Sequence, residues 1–270
     1  MAADDTRKVT TARLTEMKAA GEKIACLTAY DFLTAGLVDR AGIDLILVGD
    51  SASMVFAGND TTLPMTMDEM VYHTRVVRKA VKRALVVADM PFMSYHQGAD
   101  EALKNAGRFM KEAGAEAVKL EGSAWVMPIV RRLVEAGIPV MGHIGLMPQH
   151  ILAYGTYKVR GKDADEQAQI EADATAFVEA GAFAVVIEKV PRALATSLST
   201  RLPIPTIGIG AGVGCDGQIL VTPDMLGLTT MFNPRFVRRY AQLADTMHGA
   251  FEAYRQDVKQ AAFPAERESY

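Results

Sequence analysis

Seven residues of this chain have the types from which a reaction centre is built: Asp50, Ser51, Asp89, Lys119, Glu121, His143 and Glu188. Each follows or interrupts a short apolar run. LILV precedes Gly49-Asp50-Ser51, LVVA precedes Asp89, and Ala-Val leads into Lys119-Leu120-Glu121. Val-Met comes before Gly142-His143, and VVI comes before Glu188. Runs this short and rich in branched residues read as buried strands, and polar residues at strand tips are where α/β folds keep their chemistry. Taken singly, each has an ordinary reading. An Asp after a strand caps a helix or forms a turn, and His143, set in Gly-His-Ile-Gly, can be a satisfied structural histidine. Five strands ending in such residues, with Lys119 beside them, point to one site.

Four carboxylates brought together would repel one another and take up protons unless cations joined them. Lys119 balances one charge. The remainder suits a hard divalent cation held by oxygen ligands, with waters and substrate oxygens completing its shell. Magnesium fits two or three carboxylates plus a bidentate 2-oxo acid; zinc fits poorly, because no Cys/His set is evident. A cation across the oxygens of a 2-oxo acid acidifies the adjacent C–H and stabilises the enolate. A carboxylate free of the metal then serves as base. Enolate chemistry beside a carbonyl is the reaction class these residues support.

The pattern predicts strands over 24–29, 45–48, 84–88, 116–120, 138–141, 183–187, 205–209 and 218–221. Helices are expected over 10–21, from 32 to 40, and over 66–82, 99–113, 123–136, 163–180 and 191–202. A helical tail over 234–262 would break near Gly249. Thr66-Met67-Asp68-Glu69 is a capping-box signature. The stretch from 44 to 66 is long for a connection; its Met54, Val55, Phe56 and Leu63 predict order rather than slack chain. A second long loop covers 144–162. The phrase Ala-Gly, two residues, then an apolar run recurs at Gly42, Gly114, Gly137 and Gly181, as helix stops ahead of strands. Such alternation implies parallel strands with right-handed crossovers, and eight units in this length make a (β/α)8 TIM barrel. A doubly wound open sheet is the alternative. No linker or composition shift divides residues 1–270, so a single domain is expected.

The net charge of −3 argues against nucleic acid, and no apolar run reaches membrane-spanning length. The N-terminal residues lack a signal-peptide core, which predicts a cytoplasmic protein. Cys26 and Cys215 have neither metal nor redox spacing and read as reduced thiols. The glycine-rich GIGAGVGCDG contains a GxGxxG pattern through Gly212, Gly214 and Gly217. No helix pattern follows it, so close backbone packing is the favoured reading.

The words LTAYD, VGDS, TTLPMT, ADMPF, VKLEG, GHIGLMPQ, YKVRG, VIEKVP and GIGAG…DGQIL run in order through the chain. With them it resembles the ketopantoate hydroxymethyltransferase family over nearly its whole length. The resemblance implies a magnesium-dependent barrel enzyme of pantothenate biosynthesis, cytoplasmic and homo-oligomeric, a homodecamer in bacteria. Its reaction moves the one-carbon unit of 5,10-methylenetetrahydrofolate onto 3-methyl-2-oxobutanoate to give 2-dehydropantoate. By motif, Asp50, Asp89 and Glu121 would serve the metal, and Asp50, Ser51, Asp89 and Lys119 the 2-oxo acid. Glu188 would be the base, and His143 would line the pocket. The family carries glycine where this chain has Ser53, Ser123 and Thr156, substitutions that bear on substrate choice more than on the carboxylate set. Three other readings stay open: a magnesium-dependent lyase of the phosphoenolpyruvate mutase/isocitrate lyase group, a Schiff-base aldolase using Lys119, and a non-catalytic 2-oxo acid sensor.

Overall fold

The computed structural model describes residues 7–230 and 234–270. By its contacts the chain forms two compact units, Met1–Val221 and Thr222–Tyr270. The first unit is a closed parallel barrel whose strands neighbour one another in chain order, β1 to β8. They are β1 (Ile24–Thr28), β2 (Leu45–Val48), β3 (Leu85–Asp89), β4 (Ala117–Lys119), β5 (Val140–Gly145), β6 (Ala184–Glu188), β7 (Thr206–Ile209) and β8 (Gly217–Leu220). The outer helices are α2 (Phe32–Arg40), α4 (Met67–Ala80), α5 (Ala99–Arg108), α6 (Met127–Glu135), α8 (Ala164–Glu179) and α9 (Arg192–Arg201). The open-sheet alternative is therefore excluded.

Strand side chains alternate between two faces, and here the two faces feed two cores. Ile46, Val48, Val86, Ala88, Val118, Val140, Val185 and Ile187 pack outward against the helices. Cys26, Leu45, Leu47, Leu85, Val87, Ala117, Met141, Ala184, Val186, Ile207 and Ile219 fill the barrel. Both strand faces are buried, which is why these strands read as continuous apolar runs rather than alternating ones. Helix α1 (Thr11–Ala19) adds Leu14 and Met17 to the interior cluster. It thereby closes the N-terminal mouth.

Helix starts follow the capping signals. Thr10, Asp31 and Asp163 each accept a backbone N–H from their helix's first turn, and Thr66 with Glu69 forms the capping box. The four repeated glycines are all left-handed, with φ from +74° to +90°. Gly217 of the glycine-rich loop lets the barrel close: a Cβ there would lie 2.6 Å from the Ile24 carbonyl. That supports the packing reading of this loop over a phosphate cradle.

Six local expectations change. The loop after β2 contains a single helical turn, α3 (Ala52–Val55), and the loop after β5 contains another, α7 (Ile151–Tyr154). The helix over 99–113 ends in a π-turn, Phe109–Ala113. Strand β5 runs to Gly145, so His143 lies within the strand rather than after it. The second unit holds α10 (Thr222–Met225) and α11 (Leu243–Lys259). Helix α11 passes through Gly249 unbroken, because an interior glycine costs a helix only about 1 kcal/mol. Among residues 234–242, the Val237 N–H donates to the Pro234 carbonyl, a turn rather than a helix.

Candidate active site

The alternation that fills the barrel also builds the site. Continuing each inward-facing series by two residues leads from Val87 to Asp89, from Ala117 to Lys119, from Met141 to His143 and from Val186 to Glu188. The top layer of the interior is thus polar where the layers beneath are apolar. All four residues lie at the C-terminal end of the parallel barrel, where enzymes of this architecture carry their chemistry. Asp50 and Ser51 follow β2, and Glu121 follows β4, so the same end receives them. Every sequence-predicted residue is therefore at one end of one barrel.

Asp89 and Lys119 are register partners on β3 and β4. The Lys119 ammonium donates to both Asp89 oxygens, at 2.7 and 2.8 Å, with both side chains buried. Burial pushes the ammonium toward neutrality, but Asp89, Asp50 and Glu121 outweigh it and hold it above the ordinary lysine range. An amine held in its protonated form is a poor nucleophile, which argues against Schiff-base chemistry at Lys119. Asp50 is the opposite case. Burial, and then the neighbouring Asp89 charge, raise its carboxyl well above the usual carboxylate range, against the partial relief of Lys119.

Three buried carboxylates, Asp50, Asp89 and Glu121, thus face one buried cation, Lys119. Fully ionised, they would leave two negative charges in excess, which suits a divalent cation; without one, Asp50 is the acid that takes up a proton. Among the described residues no group of three His, Cys, Asp or Glu side chains encloses an ion by itself. The set fits an ion that takes one or two carboxylates from the protein and the rest of its shell from water and substrate, the habit of magnesium.

His143 stands between two acids, with Nδ1 3.6 Å from Glu121 and Nε2 3.4 Å from Glu188. Neither contact is a formed hydrogen bond, and both ring nitrogens are buried without one. Glu188 is more open than the others, with 15 % of its side chain exposed. Tyr157 lies near Glu188 and Asp50; burial, and then those two charges, raise its hydroxyl pKa. Ser51 is held through its hydroxyl, 2.8 Å from that of Tyr30. The three departures from the family pattern differ in setting. Ser53 is fully buried, donates to the Thr61 carbonyl at 2.7 Å and accepts from Asn59, so it fastens the loop before α4. Ser123 and Thr156 are partly exposed in the loops after β4 and β5.

Two residues of the site carried no sequence assignment. Gln149 and Tyr95 are buried, and Gln149 bonds to Asp50 and to the Glu121 carboxylate. Gln149 stands in the GHIGLMPQ word, but an amide in a loop carries no charge signal; only its contacts reveal it.

The sequence profile described as ketopantoate hydroxymethyltransferase matches residues 8–266. A 3-methyl-2-oxobutanoate hydroxymethyltransferase of Chlorobium phaeobacteroides is 57% identical over 266 residues, covering 97% of this chain and 96% of that protein. One of Bacteroides fragilis is 57% identical over 267 residues, covering 99% and 98%. In fold, the chain is similar to a phosphonopyruvate hydrolase solved with oxalate and Mg++, at a TM-score of 0.59 and 15% identity, covering 96% of this chain and 93% of that one. It is also similar to a 2,3-dimethylmalate lyase, at 0.60 and 14%, covering 96% and 91%. Those two likenesses concern the fold alone. The profile and the close relatives carry the assignment: the chain belongs to the ketopantoate hydroxymethyltransferase family and is an enzyme of the transferase class.

Proposed function

We propose that this enzyme removes the C3 proton of 3-methyl-2-oxobutanoate and adds the one-carbon unit of 5,10-methylenetetrahydrofolate there, giving 2-dehydropantoate for pantothenate biosynthesis. The observation that carries this reading is the sorting of the acids. Asp50, Asp89 and Glu121 gather around Lys119, whereas Glu188 faces His143 from the other side. One group suits binding a charged 2-oxo acid with its cation, and one carboxylate stays apart to act as base.

Asp50, Asp89 and Glu121 would hold a divalent cation, magnesium by the oxygen-only donor set. When bound, it supplies the positive charge that acidifies the C–H beside the 2-oxo group. Lys119 and the Ser51 hydroxyl bind and orient the 2-oxo acid, with Asp50 and Asp89 beside them. Asp89 keeps the ammonium aimed and charged. Glu188 takes the C3 proton, and the His143 imidazole lies 3.4 Å from it in the pocket wall.

Beyond the site, one family profile spans both compact units, which supports reading residues 1–270 as one working domain. The thiols of Cys26 and Cys215 are free, in keeping with the cytoplasm. We also propose a homo-oligomer, a homodecamer by family. Phe32, Leu33 and Leu37 of α2 and Tyr72 of α4 are more than half exposed, a patch of the kind subunits cover. Light scattering at micromolar concentration checks this: a monomer would refute it.

The test of the reaction is deuterium exchange at C3 of 3-methyl-2-oxobutanoate, followed by NMR with and without magnesium. Wild type should exchange only with the metal. Glu188→Gln should exchange at least about 100-fold more slowly, the scale of a lost general base. No exchange by folded, magnesium-loaded wild type with tetrahydrofolate present would overturn the substrate assignment and favour lyase chemistry.

A further inference from the structure

We infer that Gln149 is a positioning residue: it holds the Asp50 and Glu121 carboxylates so that each keeps one oxygen turned to the cation and substrate. The inference rests on the reading of Asp50 and Glu121 as cation-side acids.

The side-chain amide is buried and satisfied at both ends. Its Nε2 donates to Asp50 Oδ2 at 2.9 Å and to the Met90 carbonyl at 3.0 Å. Those two bonds use both amide hydrogens. Its Oε1 accepts from the Tyr95 hydroxyl at 2.7 Å. The backbone N–H of the same residue donates to Glu121 Oε1 at 2.8 Å. One residue therefore ties together the ends of β2, β3 and β4, the three strands that supply the acids.

The amide orientation is fixed by Tyr95. Its hydroxyl lies 3.0 Å from the Glu121 carbonyl and 2.7 Å from Gln149 Oε1, but it has a single hydrogen. With the shorter contact made, the amide oxygen is occupied and the NH2 group must face Asp50. A flipped amide would set two oxygens against each other, Oε1 against Asp50 Oδ2.

The chemical consequence follows from which oxygens are used. Gln149 occupies Oδ2 of Asp50, and among the described residues no side-chain hydrogen bond falls on Oδ1. On Glu121 it occupies Oε1, which His150 Nδ1 also approaches at 3.3 Å, and leaves Oε2 on the His143 side. A neutral donor does this without adding charge to a cluster already short of cations. Glutamate would add a further carboxylate, and a shorter amide would not reach across.

The test is Mn2+ binding by the full-length enzyme, measured as loss of the free-ion EPR signal, alongside thermal unfolding without metal. Gln149→Met removes the amide and keeps the backbone N–H and the volume. It should weaken Mn2+ binding about 10-fold or more, the usual cost of losing a partner behind a ligand, while the metal-free protein still unfolds in one cooperative step, at a somewhat lower temperature. Tyr95→Phe should weaken binding in the same direction but less. The double variant should bind no worse than Gln149→Met alone, because Tyr95 acts through the amide. Mn2+ affinity equal to wild type in folded Gln149→Met, or additive losses in the double variant, would overturn the positioning role. Wild type that binds no Mn2+ would overturn the cation reading itself, and the inference with it.

Discussion

Asp39 lies in the last turn of α2, far along the barrel from the chemistry, and its carboxylate does the work of a cap. It accepts the backbone N–H groups of Lys82, Arg83 and Ala84 at 2.8, 3.1 and 2.8 Å, just where the chain turns into β3. Burial pushes this carboxyl up, but the three N–H donors outweigh it and hold it below the usual aspartate value of 3.8. The sign follows. A depressed carboxyl stabilises the fold above its unfolded pKa and loses that contribution as the pH falls through the folded one. Asp39→Asn should cost about 2 kcal/mol at pH 7, as expected for hydrogen bonds to a charged acceptor. The gap between wild type and variant should narrow below about pH 4, where the free carboxyl protonates. Urea unfolding at pH 7 and pH 3 checks this; a gap constant across that range would show the charge to be irrelevant. At this scale the sequence told part of the story. The site acids were legible because a carboxylate closing an apolar run is costly without a purpose. Gln149, Tyr95 and the cap on Asp39 were not, because their roles depend on partners from 26 to 99 positions away in the chain.

Elements were legible where one rule governed them, and β5 shows where two competed. The glycine in Gly142-His143 read as the end of the strand. The strand instead continues to Gly145, and the glycine serves a helix: α8 lies so close that a Cβ on Gly142 would fall 2.6 to 2.8 Å from ring carbons of Phe177. Phe177 is fully buried, so it has little room to give way. Gly142→Ala should therefore destabilise the enzyme by about 2 kcal/mol, the range for overpacking a filled core. Adding Phe177→Leu should cost less in that background than in wild type, a coupling that a double-mutant cycle reads directly. Gly107 in α5 is the control. Nothing lies within 4 Å of a Cβ there, and alanine at that helical position should stabilise by about 0.5 to 1 kcal/mol. Equal costs at both positions would mean that backbone freedom, not the close approach of Phe177, dictates the glycine. The helical turns α3 and α7 escaped sequence reading for a related reason: single turns have no periodicity to display, and packing over the barrel mouth forms them.

For the barrel as a whole, the two ends divide the labour. The C-terminal end collects acids short of cations, whereas the N-terminal end pairs its charges. Lys8 meets Glu116 at 2.7 Å, Arg83 meets Asp44 at 2.9 Å and Lys18 meets Asp216 at 2.6 Å. Asp216 has the widest reach. It stands where the last strand must find the first, and its carbonyl accepts the Ile24 N–H at the start of β1 at 3.0 Å. Its carboxylate accepts from Lys18 on α1, and from both the backbone N–H and the hydroxyl of Thr206 at 2.8 and 2.9 Å on β7. One side chain thus joins α1 to β7 beside the β8–β1 closure, a contact across nearly two hundred residues of chain that no local pattern could announce. Asp216→Ala removes the carboxylate from a mostly buried ammonium, which keeps the Ser199 carbonyl, and leaves the buried Thr206 N–H without its acceptor; it should cost about 3 kcal/mol. Lys18→Met should cost less, because Thr206 still satisfies Asp216. Neither substitution touches the other end of the barrel. At temperatures well below unfolding, both variants should therefore exchange C3 deuterium at the wild-type rate while melting earlier. If Asp216→Ala lost exchange at temperatures where it is still folded, the closure would be coupled to the site, and the separation of the two ends would be wrong.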